Sequence, residues 1–192
     1  FHTVSPLLYS LLETQGVARH PDIELLYLMD NKRRNVGAKR NALLDMAHGD
    51  YISFIDDDDT TAPDYVARVL DALRRNPGVD VVCFPQLATL QPAGAIHECR
   101  YSLEYWRTRE SSQRRQLVAT DRPNVFSWTG PPAHTMVWRR AVVGDAHFPE
   151  QQFGEDVAWV DKVCERAQTE AQIEGAPLYF YQFDAERSAT RG

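Results

Sequence analysis

The sequence has few cysteines, and they are not arranged as a site. Only three of its 192 residues are cysteine, Cys83, Cys99 and Cys164, and no two of them form a Cys-x-x-Cys pair. Neither a disulfide framework nor a zinc site is therefore indicated. We expect a reducing, cytoplasmic setting.

The chain also lacks long apolar runs and an excess of positive charge. No run approaches the roughly 18 apolar residues of a membrane span, and no signal-peptide pattern opens the sequence. We expect no integral membrane segment. The 21 basic and 27 acidic residues give a formal charge of −6, which argues against a general affinity for nucleic acid. The length predicts a single domain over residues 1–192.

Helix and strand signals alternate along the first half of the chain. Helices are predicted from Ser5 and Pro6 to Gly16, over residues 38–47, and from Pro63 to the Asn-Pro-Gly at 76–78. Strands are predicted over residues 23–29, 51–55 and 79–84. This alternation indicates an α/β fold with an open, mostly parallel sheet and helices on both faces. Ligands of such sheets bind at the carboxyl ends of the strands.

Four consecutive aspartates, residues 56–59, follow the strand predicted at 51–55. Two unit charges about 4 Å apart repel by roughly 4 kcal/mol near a protein surface, so these carboxylates need solvent or a cation. Alternation along an extended chain points Asp56 and Asp58 the same way, where they can converge on Mg²⁺ or Mn²⁺. The alternative is a solvated turn that caps the helix at Pro63. An EF-hand loop is excluded, because its glycine and glutamate positions hold Thr61 and Ala67.

A basic loop precedes the aspartates. Five cations fall within nine residues: Lys32, Arg33, Arg34, Lys39 and Arg40. The last two lie in the first turn of the predicted helix, where cations oppose the helix dipole. An anion bound at the helix start behind Gly37 would relieve that conflict, and phosphate suits such a position. The alternatives are a diphosphate site and an ordinary solvated loop.

Three segments, in this order, resemble family 2 glycosyltransferases of the GT-A fold. "RRNVGAKRNALLDMAHGDYISFIDDDDTTAPDYV" resembles the family's Arg-Asn helix start, glycine stop and apolar strand leading to an Asp-x-Asp motif. "FPEQQFGEDVAWVDKV" resembles its Gly-Glu-Asp motif at the start of a helix. "PLYFYQFDAERSAT" resembles its closing Leu-Tyr-x-Tyr strand and serine-containing tail. The resemblance implies a GT-A (Rossmann-like) fold.

The resemblance also implies roles for residues of the first half, about 1–85, as the nucleotide-sugar-binding half. Asp56 and Asp58 are its Asp-x-Asp pair, with Asp58 the direct ligand of Mn²⁺ or Mg²⁺ and Asp56 nearer the ribose or the metal. Asp30 matches the aspartate that hydrogen-bonds the nucleobase. The further donor contacts expected are Arg34, Lys39 and Asp57. Asp59 is expected to assist.

The second half, about 86–192, is implied to hold the acceptor and the catalytic base. Asp156 of Gly-Glu-Asp is the expected base, and Glu155 is expected to position the acceptor or support that aspartate. Taken alone, an acidic pair in the first turn of a helix more often stabilises the helix end. The implied reaction is a single displacement with inversion, from a nucleoside-diphosphate sugar to an acceptor hydroxyl. UDP is the family's most frequent carrier.

The sequence differs from the family pattern at its start, and its middle carries weaker signals. The family's usual first strand should precede the helix at Ser5, where almost nothing precedes it. Trp128 is a candidate sugar platform of the acceptor site, while Trp106, Trp138 and Trp159 are expected in the core. A strand is predicted at 135–138. His134 and His147 are weaker candidates for a metal or acceptor contact. The arginines among the aromatic residues of 99–116 are expected to form a solvated helix face or to bind an acidic or sugar acceptor.

Two other functions fit parts of the sequence. "ISFIDDDDT" resembles the nucleophile motif of haloacid-dehalogenase-like phosphatases, with Asp56 as nucleophile and Asp58 as acid and base. The order of elements argues against it, because that motif ordinarily ends the first strand of its domain. An inactive nucleotide-sugar-binding module is the other alternative. The acceptor, whether glycan, lipid, protein or modified base, is not specified by the sequence.

Overall fold

A computed structural model of the chain describes residues 5–31, 33–108, 117–151 and 153–184, and Arg109, Arg114, Arg115 and the serine-containing tail lie outside them. The helices of the described residues are α1 (Pro6–Tyr9), α2 (Val36–Met46), α3 (Tyr65–Arg75), α4 (Leu103–Thr108), α5 (Arg140–Val143) and α6 (Glu155–Cys164). A π-helical turn, Ser10–Thr14, continues α1, and a 3₁₀ turn follows at Val17–Arg19.

The described strands form two sheets. In chain order they are β1 (Tyr51–Ile52), β2 (Thr60–Thr61), β3 (Val81–Cys83), β4 (Gln86–Gln91), β5 (Ala95–Tyr101), β6 (Val118–Ala119), β7 (Val125–Gly130), β8 (Val137–Arg139), β9 (Glu170–Gln172) and β10 (Tyr179–Asp184). One sheet has the order β1-β8-β3-β9 and the other β2-β10-β4-β5-β7-β6.

The α/β class is confirmed, but the expectation of a mostly parallel sheet is wrong. Five of the eight pairings between described strands are antiparallel. β4 and β5 are joined by a short turn, and a connection of that length can only produce an antiparallel pair. β8 runs antiparallel to both of its neighbours, β1 and β3.

The predicted strands met different outcomes. The strand expected at 79–84 is present as β3, and the one expected at 135–138 as β8. The strand expected at 51–55 pairs only over Tyr51–Ile52, before an extended stretch that leads to the aspartates.

The strand predicted at 23–29 is wrong. These residues are not assigned to a strand, and Leu25, Tyr27 and Met29 are 37, 50 and 74% exposed. A cavity of about 440 Å³ is lined by residues 22–27 together with residues 49–55 of the β1 segment. An apolar sequence favours a strand, but a strand forms only where a neighbouring strand offers hydrogen-bond partners.

Helix α2 begins at a capping residue and packs against the segment before α6 through Asn41 and Gly37. Asn35 caps the helix by accepting the Ala38 N–H at 2.8 Å, so α2 begins two residues before the predicted 38. Asn41 exchanges two hydrogen bonds with the backbone of Phe148, at 2.9 and 2.7 Å. A Cβ atom at Gly37 would lie 2.0 Å from the Pro149 carbonyl oxygen, so only glycine permits this approach.

The core is aromatic at its centre. Trp138 and Trp159 are fully buried, as expected, and Trp159 stacks on Phe148 with ring centroids 4.6 Å apart. Trp106 packs at the edge of this core and donates its ring N–H to Asp161. Within the described residues, no helix has the length and apolar character that crossing a membrane requires.

Candidate active site

The four aspartates have four different environments. They form a turn, closed by a hydrogen bond of 3.2 Å from the Asp59 N–H to the Asp56 carbonyl, between the β1 segment and β2. Asp56 is half-buried, Asp57 and Asp58 are exposed, and Asp59 is buried. The repulsion expected within the run is therefore relieved differently at each position.

Asp59 anchors the turn to β10. Its carboxylate accepts the Tyr179 hydroxyl at 2.6 Å and the Gln182 backbone N–H at 2.9 Å. Burial outweighs these hydrogen bonds and, with the charges of Asp56 and Asp58, raises the pKa of Asp59 to about 7. Asp59 is thus attached to the protein framework, and its contacts give it a structural role.

Asp56 contacts two cationic or polar partners. Arg40 donates to its Oδ1 at 2.8 Å, and His134 Nε2 lies 3.4 Å from its Oδ2. Burial opposes ionisation, but His134 and Arg40 outweigh it and hold the pKa of Asp56 well below its ordinary value. The Tyr179 hydroxyl also accepts the Asp56 backbone N–H, at 3.1 Å.

Arg40 joins the aspartate turn to α6. It is 8% exposed, and besides Asp56 it forms an ion pair with Glu155, which is 5% exposed and 115 positions away in sequence. Its guanidinium lies 5.6 Å from the centre of the Phe148 ring. Burial lowers the pKa of Arg40, but the carboxylates of Asp56, Glu155 and Asp156 outweigh burial and raise it.

Arg40 is the residue of this site whose contacts the sequence interpretation missed. The cations of the helix start were expected to need an external anion, whereas the carboxylates paired with Arg40 and Lys39 come from the chain itself. Helical spacing could have indicated its burial. Arg40 follows Gly37 by three positions, so both lie on one face of α2, and they are its two buried residues.

The expected base, Asp156, lies at the start of α6. Gly154 begins the helix with a φ of 74°, and among the described residues no side chain caps this end. The Asp156 side chain is 40% exposed, and its Oδ2 lies 3.8 Å from His134 Nδ1. Asp156 therefore faces solvent while the adjacent Glu155 is buried, so the two acids differ in what they can do.

His134 stands between the two carboxylate groups. Its Nε2 lies 2.9 Å from an Arg40 nitrogen and 3.4 Å from Asp56 Oδ2. Its Nδ1 is on the side of Asp156. We call Arg40, Asp56, His134, Glu155 and Asp156 the polar cluster. It brings both halves of the predicted site together.

The expected nucleotide contacts at the 30–39 loop form a separate group. Asp30 accepts the Arg34 backbone N–H at 2.9 Å and pairs with Lys39 at 3.3 Å. The Arg34 side chain is exposed, as is Asp57. The predicted contacts of these residues with a nucleotide stay predictions.

Trp128, the candidate sugar platform, is not accessible to a sugar in this structure. The residue is 9% exposed and belongs to the core, where its ring meets Tyr101 edge to face at 5.5 Å. A Cβ at Gly130 would lie 2.3 Å from the same ring, so Gly130 also packs against it.

His134, the weaker acceptor candidate, is buried as well, and its contacts lie within the polar cluster. His147 has a different partner, since its Nε2 lies 2.8 Å from a carboxylate oxygen of Asp45.

The fit of a divalent cation depends on Asp58. Among the described residues, no three His, Cys, Asp or Glu side chains converge in a way that would hold a metal by themselves. Desolvation, and then the charges of Asp56 and Asp57, raise the pKa of Asp58, so a cation there would relieve a real cost. Mg²⁺ in proteins commonly uses one or two carboxylates together with substrate phosphates. The residues fit a cation shared with a diphosphate.

A family model described as glycosyl transferase family 2 matches residues 13–128. The chain belongs to this family. The recognition from the sequence is confirmed, and the match includes the aspartate turn and Arg40 but ends before His134 and α6. A search of curated proteins gives no significant match.

Solved structures of S. aureus TarS have a similar fold. The structure of TarS 1–349 in complex with UDP-GlcNAc has a TM-score of 0.58 at 16% identity, over 96% of this chain and 49% of TarS. TarS 1–349 in complex with UDP has a TM-score of 0.52 at 17% identity, over 79% and 41%. This chain thus spans no more than about half the length of these structures. The likeness confirms the expected GT-A-type fold.

Proposed function

We propose that this family 2 chain is a metal-dependent, inverting glycosyltransferase that moves a sugar from a nucleoside-diphosphate sugar to an acceptor hydroxyl. The observation that carries the proposal is the polar cluster, in which Asp56 and Asp156 lie on two sides of Arg40 and His134. A metal-side carboxylate and a separate, solvent-facing carboxylate are what such a displacement requires.

The donor is held by the first half of the chain, about residues 1–85. A UDP-sugar is proposed because S. aureus TarS, which has a similar fold, is crystallised in complex with UDP-GlcNAc and with UDP. Asp58, with Asp56 beside it, would hold Mn²⁺ or Mg²⁺, which would supply positive charge for the departing diphosphate. Asp30, Arg34, Lys39 and Asp57 contact the nucleotide.

The base is supplied by the second half, about residues 86–192. Asp156 takes the proton from the acceptor hydroxyl, because its carboxylate reaches solvent and is separated from the metal-side aspartates by His134. Glu155 is buried against Arg40 and supports the start of α6. The acceptor class is left open by this proposal, and a cytoplasmic location stays a prediction.

The phosphatase alternative fits the geometry less well. Its nucleophile would be Asp56, but Arg40 and His134 engage both oxygens of that carboxylate. An inactive nucleotide-sugar-binding module is the second candidate, favoured by the open apolar cavity beside residues 22–27.

Thermal unfolding with UDP and UDP-GlcNAc, each with and without Mn²⁺, tests the donor site. A ligand at about a hundred times its dissociation constant adds near 2.7 kcal/mol of stability, which raises the melting temperature measurably. We expect a shift that requires both nucleotide and Mn²⁺ and that Asp58→Asn reduces. If neither nucleotide shifts the melting temperature in any condition, the donor site is refuted. Binding without turnover on any acceptor favours the inactive module.

A further inference from the structure

The proposed reaction leaves Arg40 without a role, although it lies at the centre of the site. One terminal nitrogen, Nη1, binds Glu155 of α6, and the other, Nη2, binds Asp56 of the aspartate turn at 2.8 Å. Nη2 also lies 2.9 Å from His134 Nε2. A single side chain of α2 therefore touches the donor side of the site and the residue next to the base.

An arginine is suited to this position because its donors are held in one plane. The guanidinium presents its nitrogens in a fixed fork, so two carboxylates bound to Nη1 and Nη2 are held at a fixed separation from each other. A lysine ammonium carries the same charge on a flexible stem and imposes no such separation. Here Nη1 and Nη2 each bind a different carboxylate, so the planar shape of the guanidinium matters as well as its charge.

Stability alone is a weak reason for this arrangement. Taking an arginine and a glutamate out of water is costly, and buried ion pairs can often be replaced by apolar side chains without loss of stability. Arg40 and Glu155 are both buried, at 8 and 5% exposure, next to the aromatic ring of Phe148. A polar bridge at this location is better explained by the placement it enforces on its two carboxylates.

We propose that Arg40 is a positioning residue that holds Asp56 and Glu155 as one rigid unit, so that Asp156 is aimed at the sugar of the bound donor. Arg40 acts through the two carboxylates and does not touch the reacting atoms. The chain from Arg40 through His134 to Asp156, with its last separation of 3.8 Å, supports the same placement. This inference rests on the proposed function.

The test compares Arg40→Lys, Glu155→Gln and the double variant. The readouts are the dissociation constant of UDP with Mn²⁺, measured by calorimetry, and the kcat and KM for UDP release from UDP-GlcNAc with water as acceptor. We expect Arg40→Lys to lower kcat by about 10- to 100-fold, because displacement of a catalytic group by about an ångström has effects of that size. UDP affinity and KM should stay near the wild-type values.

The double variant separates positioning from general damage. Arg40→Lys and Glu155→Gln break the same bridge, so the double variant should lose no more kcat than the worse single variant. The matched control is Arg68→Lys, since Arg68 of α3 also makes two hydrogen bonds, to the carbonyls of Glu174 and Ala176. That control should lose stability but keep kcat.

Three results would overturn the inference: an Arg40→Lys variant with wild-type kcat, additive losses in the double variant, or an equal loss of kcat in Arg68→Lys. Failure of the wild-type chain to bind UDP or to release it from UDP-GlcNAc contradicts the proposed function instead. In that case Arg40→Lys, Glu155→Gln and the double variant are compared by urea unfolding. Additive changes in the free energy of unfolding would refute the rigid bridge itself.

Discussion

The polar cluster and the N-terminal flank, residues 5–30, are held by different kinds of contact. In the polar cluster, Arg40 binds one oxygen each of Glu155 and Asp56, and His134 lies beside the other oxygen of Asp56. The flank is packed on a small apolar group, Leu7, Leu11 and Val17. Its hydrogen bonds to the rest of the described residues are few and scattered, such as those of Gln15 and Glu24. Polar contacts specify one arrangement, whereas apolar contacts tolerate an open cavity and exposed neighbours.

The largest effect that we expect in this comparison is on turnover, at Asp156. Asp156→Asn cannot accept the proton, and loss of a general base lowers kcat by about 10²- to 10⁴-fold. Because Asp156 is partly exposed and distinct from the donor-side residues, UDP binding should be unchanged. Release of UDP from UDP-GlcNAc and calorimetry with UDP measure the two quantities. Full turnover by this variant would remove Asp156 from the mechanism.

The next effect is on stability, at Arg40. Arg40→Met leaves Glu155 buried without its cation, and breaking a buried ion pair in this way costs about 3–5 kcal/mol. Urea unfolding measures the change. Arg40→Met combined with Glu155→Leu should regain much of the loss, since the uncompensated charge is removed. No recovery in the double variant would show that the cost does not arise from the buried carboxylate.

A smaller effect concerns pH, at Asp59. Its pKa is raised from 3.8 to about 7 in the folded chain, so the folded state binds the extra proton between those values. The stability that Asp59 contributes is fully present below about pH 4 and is lost as the pH rises through 7. Asp59→Asn can still accept the Gln182 N–H and can donate to the Tyr179 hydroxyl, but it cannot ionise. It should therefore gain stability relative to wild type from pH 4 to 7. Urea unfolding across this range tests the sign.

A control on the exposed helix surface accompanies that measurement. Asp71→Asn changes a carboxylate of α3 that is half-exposed and paired with Arg75. Its difference from wild type should not follow the pH course of Asp59→Asn. A parallel course in both variants would mean that the effect comes from overall charge.

The smallest effect is expected on the N-terminal flank. Met29 is 74% exposed, so Met29→Ser should change the free energy of unfolding by less than about 0.5 kcal/mol. Leu11, 4% exposed in the same flank, is the matched buried site, and Leu11→Ala should cost about 2–5 kcal/mol. Equal and large losses at both positions would mean that the 23–29 segment is packed in solution.

What the sequence predicted well depended on local signals. Helix α2 was predicted from its apolar pattern and the glycine after it, and Trp138 and Trp159 were expected in the core; both are present. The aspartate turn and Gly-Glu-Asp were found by resemblance in order and spacing. The family assignment is confirmed by the match over residues 13–128, which include the aspartate turn but not Gly-Glu-Asp.

What the sequence did not predict depended on partners far along the chain. The 23–29 segment has the composition of a strand, but pairing is decided by its neighbours. Trp128 looks the same in sequence whether its ring faces solvent or Tyr101. Arg40 was expected to face a bound anion or solvent, because nothing local indicates that Glu155, 115 positions away, would meet it.

In the proposed reaction, the contact between Gly37 and Pro149 would set how far apart the two reactants are held. α2 carries Arg40, and the chain passes from Pro149 into α6, which carries Asp156. Any side chain at 37 would have to displace the Pro149 carbonyl, 2.0 Å from the new atom, and so would wedge the two elements apart. An enzyme altered there would keep every catalytic group and still bind its donor, yet the nucleophile would stand too far from the carbon it must reach.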